Sequence, residues 1–186
     1  MPIVKTSKEE VIVKSLKHIR QHGYANTSMA DLAKVCDIQP SHFYYYFKNK
    51  EDLMTEILTY TAQYFQERIV VYANDASISP VERLEKILKR WANLFNHNDG
   101  GCIMANTILE TAHANPPFLP VIKTFFEDFV AALSKIYQAK YTEGYARELA
   151  IQVVQDVEGG IMLSQLYKDE SYLMNALQRA KNHLTN

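Results

Sequence analysis

Between Gln39 and Lys50 the chain concentrates groups that hydrogen-bond or carry positive charge: Gln39, Ser41, His42, Tyr44, Tyr45, Tyr46, Lys48 and Lys50. An amide, a hydroxyl, an imidazole and three phenols can donate and accept toward base edges or phosphate oxygens, and ammonium groups bind phosphate by charge. Such a set on one short helix with lysines at its end suits a helix lying in a DNA groove while its end grips the backbone. No other stretch points to a chemistry as directly. The chain shows no nucleophile–base pair, phosphate-binding loop or paired carboxylates at a helical interval, so no enzyme is expected. Its two cysteines, Cys36 and Cys102, form neither a disulfide framework nor a zinc spacing, and no metal or cofactor is expected.

The elements that must position these groups can be read from their boundaries. Thr6–Glu9 or Ser7–Glu10 caps a first helix with Ile12, Leu16 and Ile19 as its buried stripe, and Gly23 ends it. Ser28 with Asp31 starts a second helix, on which Met29, Leu32, Ala33 and Cys36 share one face. Asp37 falls where the chain must turn, and Asp tolerates a left-handed backbone better than most residues. Ile38 plugs the turn into the core. Pro40 opens the third helix, where a missing N–H costs nothing. Phe43 and Phe47 then point inward while Gln39, Ser41, His42 and Tyr45 face outward. Asn49 with Asp52 starts a fourth, long helix with Leu53, Ile57, Tyr60 and Tyr64 at core spacing.

This stretch resembles the DNA-binding domain of the TetR family of bacterial transcriptional regulators. The family's pattern is an apolar helix ending in Gly, then Thr-Ser, a turn, Leu-Tyr-x-His/Tyr-Phe, and Lys-x-Lys-Glu-x-Leu. Here it stands as Gly23, Thr27-Ser28, Phe43-Tyr44-Tyr45-Tyr46-Phe47 and Lys48-Asn49-Lys50-Glu51-Asp52-Leu53, in register over nearly all of residues 8–58. Asp37 departs from the Gly usual in the family's turn. The resemblance implies that Gln39, Ser41, His42 and Tyr45, with Pro40 at the helix start, face base edges. It places Tyr44, Tyr46, Lys48, Lys50 and the hydroxyls of Thr27 and Ser28 at phosphates.

The expected fold is all-α, with about nine helices. An N-terminal three-helix helix-turn-helix DNA-binding domain spans residues 1–50, a linker helix runs from about 50 to 73, and a C-terminal helical bundle spans 74–186. The polar run Asn74-Asp75-Ala76-Ser77 marks the seam. Ser79-Pro80-Val81-Glu82 combines a capping box with Pro at the first helical position, and Leu84, Ile87, Leu88, Trp91 and Phe95 follow on one face. Asn98-Asp99-Gly100-Gly101 reads as a loop. Helices near 102–113, after Pro117, near 145–167 and near 171–184 complete the chain.

By resemblance the body both binds a small molecule and dimerises, its last two helices packing against the partner's pair. Gly159-Gly160 lies inside a predicted helix, where each Gly costs roughly 1 kcal/mol against Ala, so a backbone should approach closely there. That backbone is either a partner's, with Met162, Leu163, Leu166 and Tyr167 completing an interface, or one of the same chain. Trp91, Phe95, Met104, Phe125, Phe129 and Met162 are candidate pocket linings or simply core. Asn106, Thr107, Glu110, His113, Glu158 and Gln165 are polar groups on apolar faces; of these Asn106, Thr107, Glu110 and Gln165 are the ones assigned to orient a ligand. Cys102 follows Gly100-Gly101 near a helix start, where thiols become more nucleophilic. It serves either as a sensor or as a small packing residue. Gly101-Cys102-Ile103-Met104-Ala105-Asn106 also resembles a Gly-Cys-x-x-x-Asn run in some TetR-family bodies.

Composition sets bounds on these readings. The 186 residues carry a net charge of −1 and are 47% hydrophobic, enough for a real core and too neutral for a molecule basic throughout. Residues 1–50 hold eight Lys and Arg against four Asp and Glu, leaving twelve against seventeen in the remainder. A basic head on an acidic body focuses phosphate binding at one end. No signal peptide and no apolar run near ~18 residues is found, so a cytoplasmic protein without membrane partner is expected. The reading is a homodimeric repressor on palindromic operator DNA, released by a small hydrophobic or aromatic inducer. Two alternatives stay open: thiol-based sensing at Cys102, and a helical small-molecule-binding protein without DNA binding.

Overall fold

Capping chemistry fixes where the helices begin. Ser7 accepts the Glu10 N–H at 3.1 Å while the Glu10 carboxylate accepts the Ser7 N–H at 2.9 Å, so of the two candidate caps it is Ser7–Glu10 that forms. Ser28 with Asp31, and Ser79 with Glu82, close the same reciprocal pair of bonds. The computed structural model describes residues 6–95 and 100–186, and among them every regular element is helical. Lys5 and the Asn98-Asp99 half of the expected loop lie outside the described residues. The elements are α1 Lys8–His22, α2 Met29–Val35, α3 Pro40–Tyr46, α4 Lys50–Arg68, α5 Pro80–Phe95, α6 Ile103–Thr111, α7 Leu119–Tyr137, α8 Glu143–Tyr167 and α9 Ser171–Thr185. Single 3₁₀ turns occupy Val70–Asn74 and Ala112–Ala114.

These elements pack as two compact units. One joins Met1–Thr61 with Ile103–Ile122, and the other joins Ala62–Cys102 with Lys123–Asn186. The seam expected at residues 74–77 lies inside the second unit, and α6, expected in the body, packs with α1 in the first. The cause is tertiary. Phe118 is fully buried with its ring edge-on to Tyr24, 5.5 Å between centroids, a contact that no local period announces.

The first unit is centred on Val11, Ile12, Ile19, Leu32, Phe43, Phe47, Leu53 and Ile57, all buried. Each such side chain contributes roughly 1.5–3 kcal/mol on leaving water. Along α4 the buried stripe is Leu53, Met54, Ile57, Leu58 and Phe65, whereas Tyr64 is exposed. The expected stripe through Tyr60 and Tyr64 is therefore corrected by one position, because the 3.6-residue period carries the face from Ile57 and Leu58 to Phe65.

In the second unit Phe65, Trp91, Phe125 and Phe129 pack ring against ring, with centroids 4.2–4.7 Å apart. Helices α8 and α9 pack along each other and α5 packs on α9. The Tyr137 hydroxyl donates to the Ala180 carbonyl at 2.8 Å, and Arg179 grips Asp156 through two bonds of 2.7 Å.

Candidate functional site

The turn between α2 and α3 sets the aim of the third helix. Helix α2 ends in a pair of bonds, Ile38 N–H to the Ala33 carbonyl and Asp37 N–H to the Lys34 carbonyl, each 3.1 Å. This is the Schellman arrangement, and it requires a left-handed residue at Asp37, which has φ 56°. Asp therefore fills the position that Gly usually takes. Pro40 then occupies the first turn of α3, and Phe43 and Phe47 anchor that segment by full burial.

The opposite face of α3 is open. Gln39, Ser41 and His42 are exposed, Tyr44 is 56% exposed and Tyr45 80%. Ser41, His42, Tyr45 and Tyr46 together line a shallow surface depression. An imidazole, a hydroxyl and a phenol thus converge where no core function needs them. Such a face can donate to and accept from base edges.

Three of the groups expected at phosphates have partners within the chain. Thr27 is 2% exposed and its hydroxyl donates to the Gly23 carbonyl at 2.8 Å, closing the turn after α1. The Tyr46 hydroxyl donates to the Thr6 carbonyl at 2.8 Å, which ties α3 to the segment before α1. Lys50 is half-buried, with its ammonium 4.2 Å over the Tyr24 ring and 3.5 Å from the Ala25 carbonyl. Burial lowers its pKa and the Glu110 charge opposes that shift. By contrast Lys48 is exposed, its backbone N–H held by Asp52 at 3.0 Å, and Ser28 is exposed as the cap of α2.

The ligand candidates divide between the units. Met104, Asn106, Thr107 and Glu110 lie in the first, and Trp91, Phe95, Phe125, Phe129, Met162 and Gln165 in the second. Trp91 and Phe129 are in direct ring contact and belong to the core cluster with Phe65, a residue absent from the expected lining. Phe95 is half-buried, and Met162 is 60% exposed on α8 and lines no interior. Glu110 spends its carboxylate on the backbone after α1, accepting from Ala25 N–H at 2.7 Å and Tyr24 N–H at 3.3 Å. The Thr107 hydroxyl is buried with no hydrogen-bond partner.

A polar group inside the second unit is more suggestive. Burial pushes the Glu158 carboxyl up to about 7, and a hydrogen bond from Cys102 pulls the other way. Gly101, with φ 74°, sits so close to the Gln165 amide that a Cβ there would collide with it. Cys102 itself is buried, with its thiol spent on Glu158. Among the described residues no group of three His, Cys, Asp or Glu is arranged to hold a metal ion, and no helix is long and apolar enough to cross a membrane.

The two glycines of α8 differ. At Gly160 a Cβ would meet the Leu173 Cα and the Tyr172 carbonyl at 3.1 Å, so the close backbone there is α9 of the same chain. Gly159 has open space beside it. Leu166, Tyr167 and Met162 are exposed along α8, and Tyr172 and Met174 continue the apolar surface on α9. Leu163 is half-buried at the groove that the glycines floor.

Comparison with known proteins agrees with this geometry. Residues 11–57 match the family model of bacterial regulatory proteins of the TetR family. Residues 80–179 match that of the LmrA/YxaF-like transcriptional regulator C-terminal domain. The HTH-type transcriptional regulator YxaF of Bacillus subtilis is 27% identical over 172 residues, covering 90% of either chain. The HTH-type transcriptional repressor DhaR of a Mycobacterium species is 25% identical over 80% of this chain and 75% of its own. A TetR transcriptional regulator from Legionella pneumophila has the same fold, with a TM-score of 0.85 over 98% of both chains at 24% identity.

Proposed function

The chain belongs to the TetR family of bacterial transcriptional regulators, and from that premise we propose that it is a homodimeric repressor which leaves its operator when a small hydrophobic or aromatic compound binds. The observation that carries the DNA half is the exposed face of α3, where Ser41, His42 and Tyr45 stand together behind a fixed turn. Gln39, Ser41, His42 and Tyr45 read base edges from this face. Tyr44, Lys48 and Ser28 hold phosphates around it. Residues 1–50 do the reading, the segment from about 50 to 73, α4 and the 3₁₀ turn after it, links, and residues within 74–186 bind ligand and dimerise.

Dimerisation is supported by the apolar surface of Met162, Leu166, Tyr167 and Met174, which a lone chain leaves in water. A two-fold dimer matches a palindromic site if its two recognition helices lie about 34–36 Å apart or a multiple of that. Repression agrees with the name carried by the relative DhaR. The inducer is taken up by the second unit, which holds both an aromatic core and the polar groups Glu158 and Gln165 as anchors. The chain acts by binding and carries out no catalysis.

Selection of bound sequences from random duplex DNA tests the reading. The expected outcome is enrichment of one inverted repeat, lost when Ser41 and His42 are both replaced by Ala. Enrichment of no inverted repeat overturns it. For the ligand, Trp91 is the chain's one tryptophan, and a compound that releases DNA should also change its emission.

A further inference from the structure

The carboxylate of Glu110 is placed oddly for a ligand-orienting group. It stands on α6, yet both its oxygens are used by backbone N–H groups of the short connection between α1 and α2, Ala25 at 2.7 Å and Tyr24 at 3.3 Å. A carboxylate that accepts two successive amides makes charge-assisted bonds, stronger than neutral ones. The approach is tight. Gly23, with φ 86°, is the residue before them, and a Cβ there would lie 3.2 Å from a Glu110 oxygen. Glycine is favoured at Gly23 by its backbone angle, and a Cβ there would press on this neighbour.

Lys50, the first residue of α4, closes the arrangement from another side. Its ammonium lies over the Tyr24 ring, reaches the Ala25 carbonyl and feels the Glu110 charge. Phe118 backs the Tyr24 ring edge-on. The connection so held leads within three residues to Ser28, the cap of α2, and Thr27 ties it back to Gly23. Three elements, α6, the start of α4 and the α1–α2 connection, therefore meet on one polar node inside the first unit, the carboxylate on the Tyr24 and Ala25 amides and the ammonium on the Tyr24 ring and the Ala25 carbonyl.

We infer that Glu110 is a positioning residue for DNA binding, which fixes the start of α2 through the Tyr24 and Ala25 amides, and that Lys50, seated on the Tyr24 ring and the Ala25 carbonyl of the same connection, is a structural cation and not a phosphate ligand. The inference rests on the DNA-binding reading above. It separates two lysines that stand two positions apart in the sequence. Lys48 is open to solvent, whereas the Lys50 ammonium is seated against the Tyr24 ring and the Ala25 carbonyl.

Binding of the full chain to a labelled generic duplex, followed by fluorescence anisotropy from about 50 to about 200 mM salt, tests it, because each phosphate contact contributes close to one unit of salt slope. Lys48→Ala should lower the slope by about one unit. Lys50→Met and Glu110→Ala should each weaken binding about tenfold, the loss expected for a charge-assisted bond, with the slope unchanged. Combining Glu110→Ala with Lys50→Met should cost less than the product of the single effects, since both act at one node. Glu110→Gln, which keeps an acceptor, should fall between and serves if Glu110→Ala does not fold. Unaltered or tighter binding by Glu110→Gln and Glu110→Ala overturns the inference, and so does a slope lowered by about one unit in Lys50→Met. Hydrogen exchange at the Tyr24 and Ala25 amides is a readout independent of DNA. Slow exchange in the wild type that accelerates in the Glu110 variants supports the node, and fast exchange in the wild type removes it. If the wild type binds no duplex at all while these amides are protected, the DNA reading and the positioning role fall together and only the clamp stands.

Discussion

At the residue scale, the most informative side chain of the second unit is a carboxyl that burial holds half-protonated near neutrality. Glu158 goes from 4.5 up to about 7 on folding, with the Cys102 hydrogen bond acting against the shift. The folded chain binds this proton more tightly than the unfolded chain does. Stability from this group is therefore complete below pH 4.5, falls as pH rises toward about 7, and is flat above. The loss is up to about 3 kcal/mol. Glu158→Gln should remove that slope and raise stability at pH 8, as read from urea unfolding at a series of pH values. A wild-type curve already flat from pH 5 to 7 would show that the carboxyl is ionised in the folded chain. In the sequence Glu158 stands as a polar group on an apolar face, but its partner Cys102 lies too far away along the chain for spacing to reveal it.

At the element scale, α8 tests what a helical glycine is for. In Gly160 the missing Cβ makes room for Leu173 and Tyr172 of α9, whereas Gly159 faces open space. Gly160→Ala should destabilise by about 1–2 kcal/mol, since backbone atoms must shift to admit the methyl. Gly159→Ala should stabilise by roughly 1 kcal/mol through helix propensity. Thermal melts of the two variants under one condition decide the matter. Equal effects would mean that both positions respond to propensity alone. The pair Gly159-Gly160 was legible as a demand for close approach, and which of the two glycines meets that demand depends on the rotation of α8 against α9. Boundary chemistry travelled better. Ser7, Ser28 and Ser79 cap where their partners three residues on say they should, and Gly23 and Asp37 take up the left-handed backbone. All these bonds span a few residues, so the local sequence contains both partners.

At the scale of the whole molecule, the exposed apolar surface of α8 and α9 argues for a second copy. Leu166 is 67% exposed and neighbours Met162 and Tyr167 on one helix. Leu166→Glu should place a charge in the seam, give a monomer in analytical ultracentrifugation at micromolar concentration, and weaken binding to an inverted repeat far more than to a single half-site. A variant that stays dimeric would move the interface off this face. Because Gly160 is occupied by its own chain, its replacement reports on folding, and Leu166 is the cleaner probe of assembly.

What the sequence determined by itself is the class of the molecule and the chemistry of one helix. Caps, turn residues and apolar periods are short-range signals, and they defined nine helices among the described residues and an outward polar face on α3. The family pattern over residues 8–58 is carried by the same short-range positions. Tertiary structure alone decided how those pieces are allotted. It drew Ile103–Ile122 into the unit of the DNA-binding helices, gave Thr27, Tyr46 and Lys50 partners within the chain, and gave Glu110 to the backbone of residues 24 and 25. The physical reason is one of range. Glu110 and Ala25 are 85 residues apart, and a carboxylate on an amphipathic helix looks the same in sequence whether it meets a ligand, water or a distant amide. Only the packed chain specifies which.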